Sequence, residues 1–365
     1  MKEIIRNRLT KLRAKLQDQG LDTFLVLQGE NRCYLSGFTG EDGQFDESAG
    51  ALLITAHGQI LATDSRYDHQ ARVEAPGFEI HCYKKGLAEA LPGILKALHA
   101  ERLGFESVRL SYFQFQRLQK QLKEQEGSVS LIPTEGLVEG LRMIKDPQEI
   151  EAIQQSLAVS ESVFQTIREN LSPGITEKDL AWSIEKGLRE KGAESVAFPP
   201  IVASGPNAAL PHAVPTDRPL GLGEPILFDW GGRLGGYCSD MSRTIVLGEP
   251  DTRFETVYEV VRDAQAMAIE AIKPGTSTQA IDKIARDYIA SKGFGDRFGH
   301  GLGHGVGLAT HEKPHLSPMR PMNLEAGMVV TVEPGIYIPE WGGVRLENMV
   351  VVQRQGAVVL NHYPL

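Results

Sequence analysis

Thirteen residues, HGLGHGVGLATHE (300–312), hold three histidines, His300, His304 and His311, among four glycines. Imidazole binds metals and exchanges protons near neutral pH. Its concentration where there is so little side chain to pack marks a place for chemistry. His300 and His304 are four apart, a spacing that shares one helix face. Glycine at 301, 303, 305 and 307 opposes a helix, at about 1 kcal/mol each relative to alanine. A strand or extended loop is expected instead, its glycines thinning the wall so that substrate and metal approach the backbone.

Carboxylates recur with their own pattern. GEPILFDWG (223–231) and GMVVTVEPG (327–335) are apolar strand runs that end in an acid, one further residue and glycine. Asp229 is followed eleven residues later by Asp240 across Gly235-Gly236, and Glu333 fourteen later by Glu347 across Gly342-Gly343. Each segment reads as a hairpin with one carboxylate per strand.

The elements that must position these groups form a duplication. LSPGITEKDLAWSIEKGLREKGA (171–193) matches IKPGTSTQAIDKIARDYIASKGF (272–294) at an offset of 101, and the two acid-ending strands match at 104. In each half a long helix precedes the Pro-Gly turn, and a second helix runs to a Lys-Gly stop. The first long helix has a strong start: Asp146 as N-cap, Pro147 at the first helical position and Glu149 as capping-box partner. Two similar halves bring equivalent strand ends to a common centre. Asp229 and Glu333 then face each other there, joined by Asp240, Glu347 and His304. Four buried carboxylates left unpaired would be prohibitively costly. Two divalent cations would balance them, and hard oxygen ligands with one nitrogen favour Mn²⁺, with Co²⁺ or Zn²⁺ also admitted. Paired metals lower the pKa of a shared water and polarise a carbonyl, the requirements of a hydrolase.

The bulk properties frame this centre. A chain of 365 residues is too long for one ordinary core, so two domains are expected. Hydrophobic and charged shares of 41% and 23% are those of a globular protein. A net charge of -9 without a basic stripe excludes a nucleic-acid binder held by phosphate contacts. No apolar run is long enough to span a bilayer. Cys33, Cys82 and Cys238 are scattered and form no C-x-x-C pair, which suits a reducing compartment. Ile5, Leu9, Leu12 and Leu16 make the first segment an amphipathic helix rather than a signal peptide, and a cytoplasmic enzyme is expected. Through residue 133 the pattern is that of a small α/β domain. TFLVLQ (23–28) is a buried strand, ALLITAHGQILATD (51–64) two strands around His57-Gly58, and residues 87–107 a helix followed by a strand. LIPTEG (131–136) reads as the boundary, giving domains 1–133 and 134–365.

On these residues the chain resembles the two-domain pita-bread metallopeptidases, the aminopeptidase P and prolidase family. NRCYLSGFTG (31–40) and ATDSRY (62–67) are similar to segments of the family's N-terminal domain. FPPIVASGPNAALPH (198–212), DWGGRLGGYCSDMSRT (229–244), HGLGHGVGLATHE, TVEPG (331–335) and GGVRLEN (342–348) resemble its catalytic motifs. The resemblance implies a creatinase-like α/β N-terminal domain followed by an α+β pita-bread catalytic domain with internal pseudo-two-fold duplication. It implies Asp229, Asp240, His304, Glu333 and Glu347 as ligands of two divalent ions, and cleavage of the Xaa-Pro bond of a peptide. Glu333 would also carry the proton from water to the proline nitrogen. His212, His300, His311 and Arg345 fall where the family keeps substrate-side groups or groups that support the ligands. A homodimer is implied by analogy.

Each of these residues has a plainer reading. His212 could cap a turn after Pro211, His300 could hold its loop, and Arg345 could pair with a ligand carboxylate. Trp230 and Trp341 could pack or wall a pocket, His315 has no assigned role, and Cys238 reads as a buried thiol rather than a ligand. Asn348 stands where an aspartate is common in the family. A non-catalytic binding protein on this fold would have substituted ligands, a creatinase-like amidinohydrolase would not need this metal set, and a methionine aminopeptidase would normally lack residues 1–130. The choice between a strict dipeptidase and an aminopeptidase P stays open.

Overall fold

A computed structural model describes residues 3–43, 47–124 and 129–365. The chain divides into two compact units, Met1–Arg142 and Met143–Leu365.

The first unit is built on a six-stranded sheet in the spatial order Glu79–Tyr83, Gln59–Asp64, Ala51–Thr55, Thr23–Val26, Arg102–Glu106, Ser130–Thr134. The pair around His57-Gly58 is antiparallel, with Ile54 opposite Gln59. The helix Glu3–Asp18 buries Ile5, Leu9, Leu12 and Leu16, the stripe its periodicity requires. Residues 131–136 do not form a linker. Ser130–Thr134 pairs in parallel with Arg102–Glu106 as the outermost strand, and Pro133 lies opposite Phe105. Proline lacks the amide a central strand needs, so an edge is where it fits. The short helix Glu139–Arg142 also belongs to this unit, since Arg142 Nη1 donates to Asn31 Oδ1 at 2.8 Å. The units therefore meet at Arg142 and Met143 rather than at 133 and 134.

In the second unit the duplication is visible element by element. The helix Pro147–Glu169 starts on the reciprocal Asp146–Glu149 capping box. Its counterpart Thr252–Ala271 starts on Asp251, whose side chain accepts from Phe254 N. The following helices, Glu177–Glu190 and Thr278–Ser291, bury Leu180, Ile184 and Leu188 in one half and Ile281, Ala285 and Ile289 in the other. Gly174 N donates to Leu220 O and Gly275 N to Leu324 O, so both Pro-Gly turns are tied down alike. Gly192 and Gly293 end these helices at φ +98° and +87°, left-handed values that glycine adopts without strain.

Each half then contains three matching antiparallel strands with a hairpin inserted between the second and third, and the second half's sheet adds Glu312–Leu316 and Gly356–Val359 at its edges. In the first half Ile201–Ser204, Pro225–Trp230 and Met241–Val246 pair in turn, around the hairpin Gly232–Leu234 and Tyr237–Cys238. In the second half the same order is Gly303–Gly305, Val329–Val332 and Asn348–Gln353, around Gly335–Ile338 and Gly342–Arg345. Apolar faces of the helices and sheets fill the core. Phe164 stacks on Trp230 with ring centroids 4.4 Å apart, and Val257, Val261 and Ala264 pack with Val330, Val332 and Val350.

Candidate metal centre

Strand ends place the four expected acidic ligands, and a short strand carries the histidine. Asp229 lies in Pro225–Trp230, and Asp240 immediately precedes Met241–Val246. Glu333 follows Val329–Val332, Glu347 precedes Asn348–Gln353, and His304 is central in Gly303–Gly305. With His212, His300, His311 and Arg345 they line one cavity of about 660 Å³. One ligand atom from each of Asp240, His304 and Glu347 lies within 4.8 Å of the others. His304 Nε2 is 3.3 Å from Glu333 Oε1 and 3.7 Å from Asp240 Oδ2.

The glycines beside His304 have a further reason beyond the one expected. A methyl group at Gly303 would overlap the Thr331 carbonyl, and one at Gly305 would overlap the Lys313 carbonyl. The backbones on either side of the strand press against its Cα atoms, and Gly301 and Gly303 also line the cavity.

Supporting groups fix the ligands' orientations. His304 Nδ1 donates to Gly305 O at 3.1 Å, which turns Nε2 toward the carboxylates. Burial works against a charged imidazole, but Glu333 outweighs it and the His304 pKa is raised. Thr331 Oγ1 accepts from His304 N at 3.0 Å and donates to Glu333 Oε1 at 3.1 Å. Ser242 Oγ donates to Glu347 Oε2 at 2.8 Å and accepts from Arg345 Nε at 2.9 Å. Arg345 Nη2 donates to Asp229 Oδ2 at 2.6 Å, while Nη1 reaches Tyr337 Oη at 2.9 Å and Pro211 O at 3.1 Å. Arg345 thus pairs with the carboxylate of a candidate ligand, and it also holds the carbonyl of Pro211 beside the cavity-lining His212.

His300 is equally committed. Its Nδ1 donates to Gly301 O at 2.8 Å, leaving Nε2 as an acceptor 2.9 Å from Tyr337 Oη. Tyr337 Oη takes a hydrogen bond from Arg345, so its own proton goes to His300. Burial lowers the His300 pKa, in keeping with this neutral tautomer. Tyr337 was not singled out by sequence, although the period of two along Gly335–Ile338 puts it on the hairpin face that Arg345 shares. His315 was also left without a role. It stands across the ladder from His304 and lines the same cavity.

Other readings resolve plainly. Trp230 is fully buried and donates through Nε1 to Ser160 O at 3.1 Å. Trp341 packs on the second half's core beneath the Arg253 guanidinium. Cys238 is a buried thiol 3.8 Å from Leu308 O. Asn348 Oδ1 accepts from Arg243 Nη2 at 3.1 Å, so an amide takes the place a carboxylate would have against that buried guanidinium.

The electrostatics call for a cation. Burial, then the neighbouring acids, raise Asp240 and Glu347 well above the usual carboxylate range. Asp229 is raised by burial despite its bond to Arg345. Burial pushes Glu333 the same way, but His304 outweighs it and holds the group at about 2. Asp229 Oδ1 is buried with no hydrogen-bond partner among the described residues. Such an oxygen, aimed into a cluster of hard donors with one imidazole, fits a divalent metal. The His311 ring lies 4.3 Å from that of His304, and burial followed by His304 lowers its pKa to about 4, so it meets the cavity as a neutral base.

Comparison with known proteins agrees with this geometry. The chain is 33% identical over 97% of both chains to an Xaa-Pro dipeptidase of Pyrococcus furiosus. The solved Xaa-Pro dipeptidase from Bacillus anthracis superposes with a TM-score of 0.92 at 36% identity, covering 99% of this chain and 98% of that one. An X-Pro aminopeptidase structure from Thermotoga maritima matches with a TM-score of 0.85 at 36% identity, over 96% and 98%. Residues 8–144 match the creatinase/prolidase N-terminal domain, ahead of a catalytic domain with the pita-bread fold. Residues 151–354 match metallopeptidase family M24, and the chain belongs to that family.

Proposed function

We propose that this protein is a peptidase that hydrolyses the bond between an N-terminal residue and proline, using two divalent cations, Mn²⁺ foremost. The observation that carries this reading is the convergence of Asp229, Asp240, His304, Glu333 and Glu347 on one buried cluster, with Asp229 Oδ1 unpartnered. Relatives named for Xaa-Pro cleavage along nearly the whole chain support the substrate class. These five side chains would hold the metals, which when bound acidify a water and polarise the scissile carbonyl.

The remaining steps belong to the protein's own groups. Glu333 accepts the proton of the attacking water and delivers it to the proline nitrogen, because an amine must be protonated to leave. His311 and His212 face the cavity and hydrogen-bond the tetrahedral carbon's oxygen substituents. Arg345 keeps Asp229 ionised and oriented, and Tyr337 with His300 keeps Arg345 in place. The imide bond before proline lacks an N–H, so recognition must come from a shaped pocket, here walled by Phe198, Pro199 and Ile201.

Metal-stripped enzyme reloaded with Mn²⁺ or Co²⁺ would be assayed on an Xaa-Pro dipeptide and on an Xaa-Pro-Yaa tripeptide. Hydrolysis of either supports the proposal. Preference for the dipeptide identifies a prolidase and preference for the tripeptide an aminopeptidase P. Metal-loaded enzyme inert toward both defeats it.

A further inference from the structure

The strand ladder of the second half stops where its carboxylates begin. Val332 pairs with Asn348, and the next paired residues toward the hairpin are Gly335 and Arg345. Between them lie Glu333, Pro334, Leu346 and Glu347; Leu346 N keeps a long bond to Pro334 O at 3.4 Å, while the backbones of the two glutamates turn to other partners. Glu333 N donates to Leu302 O at 2.8 Å and Glu347 N to Ser242 O at 3.1 Å. The carbonyls just before the two acids, Val332 O and Leu346 O, are both buried, and one side chain serves both. Gln265 Nε2 donates to each of them at 2.8 Å. A primary amide has two N–H groups, and this one spends both on the two strands that deliver ligands. Gln265 is itself buried, in the helix Thr252–Ala271.

The other half uses the same helical position. Gln265 lies fourteen residues past its N-cap Asp251, as Ser160 does past Asp146. Ser160 Oγ contacts Ser239 Oγ at 2.9 Å and accepts from Gly232 N at 3.1 Å, and its carbonyl receives Trp230 Nε1. Trp230 and Ser239 adjoin Asp229 and Asp240. In both halves the residue at this point on the long helix grips the broken ladder beside its pair of acids.

We propose that Gln265 is a positioning residue for the metal centre, setting the separation of Glu333 and Glu347 through the carbonyls that precede them. The inference rests on the five-ligand reading above. Without the amide, each glutamate's backbone could drift independently, and such a drift would weaken the carboxylates' hold on a metal more than it weakens the fold.

The test compares wild type, Gln265→Leu, Gln265→Asn and the control Val261→Ala, which opens a cavity on the same helix without touching either carbonyl. Mn²⁺ affinity of the stripped proteins is measured by titration calorimetry, together with the thermal midpoint of each apoprotein and kcat and KM at saturating metal. Gln265→Leu is expected to raise the Mn²⁺ Kd by roughly tenfold or more and to lower kcat with KM little changed. Gln265→Asn should fall between it and wild type, and Val261→Ala should lose stability while binding metal normally. If Gln265→Leu gives no folded apoprotein, Gln265→Asn is judged against Val261→Ala in the same way. Equal metal affinity in the Gln265 variants and Val261→Ala overturns the positioning role alone. A wild type that takes up no Mn²⁺ removes the centre itself, and this proposal with it.

Discussion

Glu347 accepts from Ser242 Oγ and sits among three other acids, and its neutral form is favoured strongly without a cation. Glu347→Gln keeps the shape and one acceptor but removes the charge that a metal would neutralise. Turnover should fall by roughly a hundredfold or more, with weaker metal uptake. Activity and Mn²⁺ content near wild type would contradict its place among the ligands. Tyr337→Phe makes a finer cut. It deprives Arg345 Nη1 of one acceptor and His300 Nε2 of its donor. A hydrogen bond to a charged group contributes about 1.5–3 kcal/mol, so kcat should drop about tenfold while the fold persists. An unchanged kcat would show that Asp229, Ser242 and Pro211 O suffice to hold Arg345.

Among the elements, the strand Gly303–Gly305 is tightly constrained, since a Cβ on Gly303 would overlap the backbone of Thr331. Gly303→Ala must displace His304, Thr331 or both. It is expected to lose most activity and to lower the thermal midpoint, and wild-type kinetics in this variant would refute the packing argument. In the first unit, Glu106 closes the end of the strand Arg102–Glu106. It accepts from Leu27 N at 2.6 Å, Gln28 N at 2.7 Å and Asn31 Nδ2 at 2.6 Å. Burial nevertheless raises it to about 7 from an ordinary 4.5. A carboxyl raised in the folded state binds more protons there than when unfolded. Its contribution is therefore full below pH 4.5 and is lost as pH rises through about 7. Thermal midpoints recorded between pH 4.5 and 7.5 should decline less steeply for Glu106→Gln than for wild type. Parallel curves would mean that the three donors keep Glu106 ionised throughout.

For the whole molecule, metal binding would be linked to folding, because an unfolded chain cannot present the five proposed ligands together. Saturation at a hundred times Kd stabilises by about 2.7 kcal/mol. Chelator-stripped protein should melt several degrees lower and recover with added Mn²⁺, and identical melting curves would argue against a bound metal. Among the described residues no helix is long and apolar enough to cross a membrane.

Much of this architecture is written in local chemistry. Asp146-Pro147 and Glu149 start a helix, Lys-Gly pairs end two of them, and the matched acid-ending strands disclose the duplication, because caps, glycine conformations and strand periodicity act over a few residues. The ligand types follow from the same source, since acids at the ends of apolar runs imply burial and burial implies a counter-charge. What the tertiary structure alone decided are the partnerships. Arg345 turns to Asp229, Tyr337 joins it to His300, and Gln265 bridges two carbonyls from a helix more than sixty residues upstream. Residues 131–136 read as a boundary and carry part of an edge strand, and the glycines around His304 clear neighbouring backbones as well as lining the cavity. Such facts depend on which strands lie side by side and where their ladders are interrupted. Those distances are set by the packing of residues far apart in the chain, and no spacing within a motif encodes them.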